Sequence, residues 1–148
     1  MAPPRSTEQR IRDVVHRLRN EIDVWFASAS PEGVPHMIPL TFLWSEGRIL
    51  MATGETSVTV RNLSLRPRGR LALRDTRDVV VIDGWATLIP IDRLNPDIRA
   101  AFAAETGWDP AADDGYCYIE FEPEWIAAWR DEDELTDRDV MRKGTWLA

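Results

Sequence analysis

The chain has 148 residues and a formal net charge of −7, the length of one domain able to bury roughly 70% of its unfolded-chain surface. No apolar run approaches the roughly 20 residues of a membrane-spanning helix, and the acidic balance argues against a general affinity for nucleic acid. Cys117 is the only cysteine and His16 and His36 the only histidines, so an internal disulfide is excluded, no zinc-ligand set is recognisable, and redox chemistry requires an organic cofactor.

In chain order, residues 1–7 are polar and Pro-containing, and read as a disordered arm rather than a signal peptide; a cytoplasmic protein is expected. Residues 8–148 read as a single domain. Ser6-Thr7-Glu8-Gln9 has the form of a capping box, and Ile11, Val14, Val15, Leu18 and Ile22 follow at helical spacing. Residues 23–30 and 34–44 are strand-like runs around the turn signal Pro31-Glu32-Gly33, and predict a hairpin. Pro39 removes a ladder donor from the second run, which places it at an edge, a bulge or a point where another molecule meets the backbone.

Residues 48–52 read as a short buried strand that Gly54 ends, after which Val58, Arg61, Asn62 and Leu65 recur at helical spacing. Two readings fit this strand-to-helix turn. One is an ordinary helix capped by Ser57. The other is an anion site, in which free first-turn amides and the positive helix end are joined by the hydroxyls of Thr53, Ser57 and Thr59 and by Arg61 one turn on.

Strand runs follow at residues 70–74 and 78–88, the second interrupted by Gly84 as at a bulge. Asn95-Pro96-Asp97 opens a helix that buries Ile98, Ala101 and Phe102 and stops at Gly107. Residues 115–122 alternate as a strand that continues after Pro123 through Trp125–Trp129. The acidic run Asp131 to Glu134 reads as a solvated face. Six or seven strands with regular turn signals and a few short helices predict a mainly β, α+β fold: an antiparallel β-barrel with helices at its ends. Arg61, Arg66, Arg68, Arg70, Arg74 and Arg77 form a basic strip with only Asp75 and Asp78 opposing. Such a strip reads either as a small-anion surface or as a solvated face paired to carboxylates.

The ordered pieces resemble one family. They are Val24-Trp25-Phe26-Ala27-Ser28, Gly33-x-Pro35-His36-x-x-Pro39, Thr53 with Ser57, Arg61-Asn62-Leu63, Asp78-Val79-Val80 with Gly84, Ala128-Trp129-Arg130, and Gly144-x-Trp146-Leu147. The family is that of the flavin and deazaflavin split β-barrel proteins typified by pyridoxamine 5′-phosphate oxidase, and within it the branch using coenzyme F420. The resemblance implies a six- to seven-stranded split β-barrel and a homodimer with two cofactor sites at its interface. It implies that Pro39-Leu40-Thr41-Phe42 runs along the cofactor ring, and that Thr53, Ser57, Thr59, Arg61 and Asn62 lie at its phosphate. More approximately, it puts Trp129 near the ring from the other subunit, with Arg138 as the basic residue following it. The chain departs from the oxidase in two places. Val58 and Thr59 stand where the oxidase has basic residues, and its C-terminal Arg-x-His motif is absent, which argues against pyridoxamine phosphate as substrate.

The expected function is that of an F420-dependent reductase passing a hydride to an electron-poor double bond of a small organic substrate. The alternatives are an FMN-dependent oxidase or reductase on the same scaffold, and a non-catalytic carrier of a flavin, heme or other tetrapyrrole. No catalytic residue is singled out and no metal is expected. His36 is a proton-donor candidate of ordinary strand type, and Cys117 reads as a small buried apolar residue. Trp25, Trp44 and Trp85 read first as core or dimer contacts.

Overall fold

A computed structural model describes residues 3–148; the part of the expected arm at residues 1–2 lies outside the described residues. Helix α1 (Thr7–Asn20) starts at Ser6, whose side chain accepts from the Gln9 amide at 3.1 Å. It buries Arg10, Val14 and Leu18, one face at a spacing of four. Ile22 falls beyond the helix and is exposed.

Strands β1 (Asp23–Ala29) and β2 (Pro35–Ser45) form the expected hairpin. Gly33 takes a φ of 86° in its turn, where a glycine avoids Cβ strain. The first half of β2 pairs only with β1, and from Phe42 onward it pairs with β3 (Arg48–Gly54). Pro39 therefore lies on a half of β2 whose other edge is open, where its missing donor costs little.

Helix α2 (Val58–Leu65) leads to β4 (Arg68–Ala72), which pairs with β1 and with β5 (Val79–Pro90). Helix α3 (Pro96–Thr106) precedes the long β6 (Tyr116–Trp129). β6 pairs with β5 throughout and with β3 along its first half, which closes an antiparallel six-stranded barrel. Its second half pairs with β7 (Asp139–Arg142), to which β8 (Thr145–Trp146) is added. The β5–β6 register slips at Asp83/Gly84, where the sequence puts an interruption, and the unpaired extra residue is Glu124 of β6.

The barrel interior is apolar, with Phe26 and Phe121 edge to face at 6.0 Å. A second cluster lies outside the barrel wall, where Phe102 of α3 meets Leu50, Ala52, Leu94 and Tyr118. This outer cover explains why β3 is buried on both faces from Ile49 to Thr53 instead of alternating. Ala101 is exposed, against expectation, and Phe102 alone is fully buried on α3.

Two readings of charged segments change. Asp131 to Asp133 are exposed, but Glu134 is buried. Its carboxylate accepts from the Arg5 amide (2.9 Å), Nε (3.0 Å) and Nη2 (2.8 Å) and from the Arg130 amide (2.8 Å). The expected loose arm is thus tied down from Arg5 onward, and Arg5 also reaches Asp13 at 3.0 Å.

Candidate functional site

The turn between β3 and α2 sits where the barrel wall opens. Gly54 accepts from the Ser57 amide at 3.0 Å, and the Ser57 hydroxyl accepts from the Val60 amide at 3.2 Å. Ser57 is therefore a helix cap, as one of the two readings holds. A cap leaves the first helical amides, those of Val58 and Thr59, without a partner inside the helix, and no acidic residue occupies the first turn to neutralise that end. Ser57→Ala is expected to lower the unfolding free energy by about 1 kcal/mol, read from urea denaturation, and to leave the fold intact.

Along one face of α2 lies a cleft of about 450 Å³, between that helix and the β1–β2 turn. Its walls are apolar at Val34, Pro35, Val58 and Leu65, and polar at Glu32, His36 and Arg61. Arg61 is exposed and takes part in no ion pair or side-chain hydrogen bond among the described residues. An exposed, unpaired guanidinium beside apolar walls suits a ligand with an anionic end and a flat apolar body.

The other expected residues divide. Asn62 is buried and donates its side-chain amide to the Ser28 hydroxyl at 3.1 Å, tying α2 to β1 at the rear of the cleft. Thr59 is fully buried and its hydroxyl has no partner. It does not line the cleft. Thr53 is buried on β3 opposite Cys117. On β2, Leu40 and Phe42 point into the barrel core, so only their backbone is available outward, whereas Pro39 is exposed and Thr41 half-buried. Trp129 and Arg138 lie together, the guanidinium 5.9 Å from the indole centroid, but neither lines the Arg61 cleft.

The basic strip also divides. Arg68 bonds Glu124 at 3.1 Å and stacks on Trp85 at 4.2 Å, and Arg70 holds Asp83 through two bonds of 2.6 and 2.8 Å. Arg66 donates to the Pro31 carbonyl at 2.7 Å, bracing the β1–β2 turn. Only Arg61 of the strip lines the cleft beside α2. The sequence places Ser28 only in a motif and Glu32 only in a turn, because a hairpin turn and a helix that share a wall leave no mark in either segment's own pattern. Cys117 is buried, which pushes its thiol pKa up and removes it as a nucleophile.

Outward-facing positions of β1, β2, β4 and β5 form a second feature. Trp25, Met37, Pro39 and Trp85 are exposed there, around a shallow depression of about 290 Å³ floored by Ala27, Ala29 and Gly69. Among the described residues no helix is long and apolar enough to cross a membrane, and no group of His, Cys, Asp and Glu is placed to hold a metal ion.

Comparison with known proteins agrees with this architecture. The heme storage protein HutZ from Vibrio cholerae superposes with a TM-score of 0.68 at 13% identity, over 92% of this chain and 99% of that one. An F420 reductase superposes at 0.63 and 14% identity, over 76% and 94%. A pyridoxamine 5′-phosphate oxidase-related, FMN binding protein from Nostoc punctiforme gives 0.53 at 17%, over 86% and 82%. At such identities these likenesses establish the fold alone. No curated protein matches the chain. The family model described as pyridoxamine 5′-phosphate oxidase matches residues 10–130, from α1 to the end of β6 and so across every strand that closes the barrel. With most of its length matched, the chain belongs to the pyridoxamine 5′-phosphate oxidase family.

Proposed function

We propose that this protein is a homodimeric, coenzyme F420-dependent reductase acting on an electron-poor double bond of a small organic substrate. The observation that carries the reading is Arg61: an unpaired cation one turn into α2, lining a cleft with apolar walls, in a chain of an oxidase family. When bound, the deazaflavin supplies the hydride. The chain's share is to hold the anionic end at Arg61 and the start of α2, to hold the ring against the outward backbone of Pro39–Phe42, and to exclude water. Val58 and Thr59, apolar and buried respectively, offer no second charge to an FMN phosphate. The exposed Trp25, Met37 and Trp85 face supports a second copy of the chain as the cover that completes the site.

FMN is the second reading. Glu124 and Asp83 neutralise Arg68 and Arg70, which leaves less free positive charge near the cleft than the sequence suggests and lowers the advantage of a polyanionic cofactor.

Titrating the purified protein with oxidised F420, FMN and hemin in parallel separates the readings. Saturable micromolar binding of F420, followed by turnover of unsaturated substrates with its reduced form, is the expected result. Preference for FMN installs the second reading, and tight hemin binding without turnover installs the carrier. Arg61→Ala is expected to weaken the preferred cofactor by about tenfold or more, the worth of a charge-assisted contact, with an unchanged melting temperature. Unchanged affinity removes the α2 turn from the site. Met37→Asp is expected to shift light scattering from dimer to monomer; a dimer that persists puts the interface elsewhere.

A further inference from the structure

A second cleft, of about 440 Å³, lies between the start of α1 and the β6–β7 connection and shares no lining residue with the Arg61 cleft. Arg10 lines it at 3% exposure. Its Nη1 donates to the Ala128 carbonyl at 3.0 Å and its Nη2 reaches the Thr7 hydroxyl at a marginal 3.4 Å, while its buried Nε has no partner. Among the described residues this guanidinium forms no ion pair, although a buried charge is ordinarily neutralised. Ser6 and Thr7, at the start of the 14-residue α1, line the same cleft, and the first amides of a helix lack partners within it. Asp133 and Asp137 also line it, both exposed and free of ion pairs among the described residues, whereas Glu134 and Asp139 are already held by Arg5 and Arg142.

An uncompensated buried cation and two uncompensated carboxylates lining one cleft suit a ligand with both signs. A plain anion would meet the aspartates, and a plain cation would leave Arg10 unanswered. We propose that this cleft binds a small zwitterion of the α-amino-acid class, its carboxylate on Arg10 and the start of α1, its ammonium group on Asp133 and Asp137. The inference is independent of the cofactor reading, because no residue is shared.

Isothermal titration of the full chain with glycine, alanine, glutamate and arginine, and with acetate and ethylammonium as half-ligands, tests it. Saturable binding of at least one amino acid is expected, with both half-ligands at least about tenfold weaker. Arg10→Met removes a buried stem as well as a charge and is a poor sole control. The exposed pair Asp133→Asn/Asp137→Asn is therefore the deciding variant: it is expected to keep the melting temperature and to lose about tenfold or more in affinity. Absence of saturable binding up to about 10 mM, binding of acetate as tight as that of the amino acids, or full affinity in the double variant overturns the proposal.

Discussion

Glu134→Ala is expected to lower the unfolding free energy by about 3 kcal/mol at neutral pH, the low end of the cost of removing one partner from a buried ion pair. The Glu134 side chain is 4% exposed and Arg5 11%, so little solvent screens their contact. Two further observations keep the cost at the low end: Arg5 retains Asp13 at 3.0 Å in the variant, and the Arg130 amide lies at a strand end within reach of water. Arg5 hydrogen bonds hold the Glu134 carboxyl well below the usual carboxylate range, at about 2, against the opposing push of burial and with help from the two backbone amides.

The sign of the pH effect follows from that depression. A carboxyl at 4.5 when unfolded and about 2 when folded stabilises the native state fully above pH 4.5 and loses that contribution as the pH falls towards 2. Asp13, lowered by Arg5 and Gln9 despite its own desolvation, titrates in the same direction. Urea midpoints of parent and Glu134→Gln should therefore lie far apart at pH 7 and converge by about pH 2. A constant gap across that range would show that Glu134 acts through packing and not through its charge.

Glu134 also shows what a linear reading of this chain leaves out. Its neighbours Asp131, Glu132 and Asp133 are exposed, so local composition describes the run correctly except at the one position whose partner is 129 residues away. Arg5 fails for the same reason, as a polar Pro-containing arm carries no local sign of being anchored. Elements whose pattern is local were legible: the Ser6 and Ser57 caps, the Pro31–Gly33 hairpin turn and the Gly84 interruption all stand where residue type and spacing put them. At the candidate site the Arg61 charge and the Ser57 cap were legible. The inward turn of Thr59 and the Asn62–Ser28 bond were not, because which face of a one-domain helix is buried depends on the strands it lands on.

Gly84→Ala is expected to be as damaging as the loss of Glu134, at about 3 kcal/mol, through overpacking alone. A Cβ at Gly84 would stand 2.1 Å from the Glu122 carbonyl oxygen and 2.8 Å from the Phe121 ring. The oxygen belongs to backbone, and β6 cannot retreat because its other edge is committed to β3 at Phe121. The ring cannot turn away freely either, as Phe121 is fully buried against Phe26. Relief must then come from β5, whose unbroken pairing with β4 sets Asp83 against Arg70 and Trp85 against Arg68 on the outward face. Denaturation should show the lost stability, and the proposed dimer face should be disturbed with it. Gly33→Ala is the matching control, since that glycine has a φ of 86° and nothing within 4 Å of a new Cβ, so only backbone strain of about 1 kcal/mol is added. If Gly84→Ala proves no costlier than Gly33→Ala, the two strands at the bulge are not in close contact.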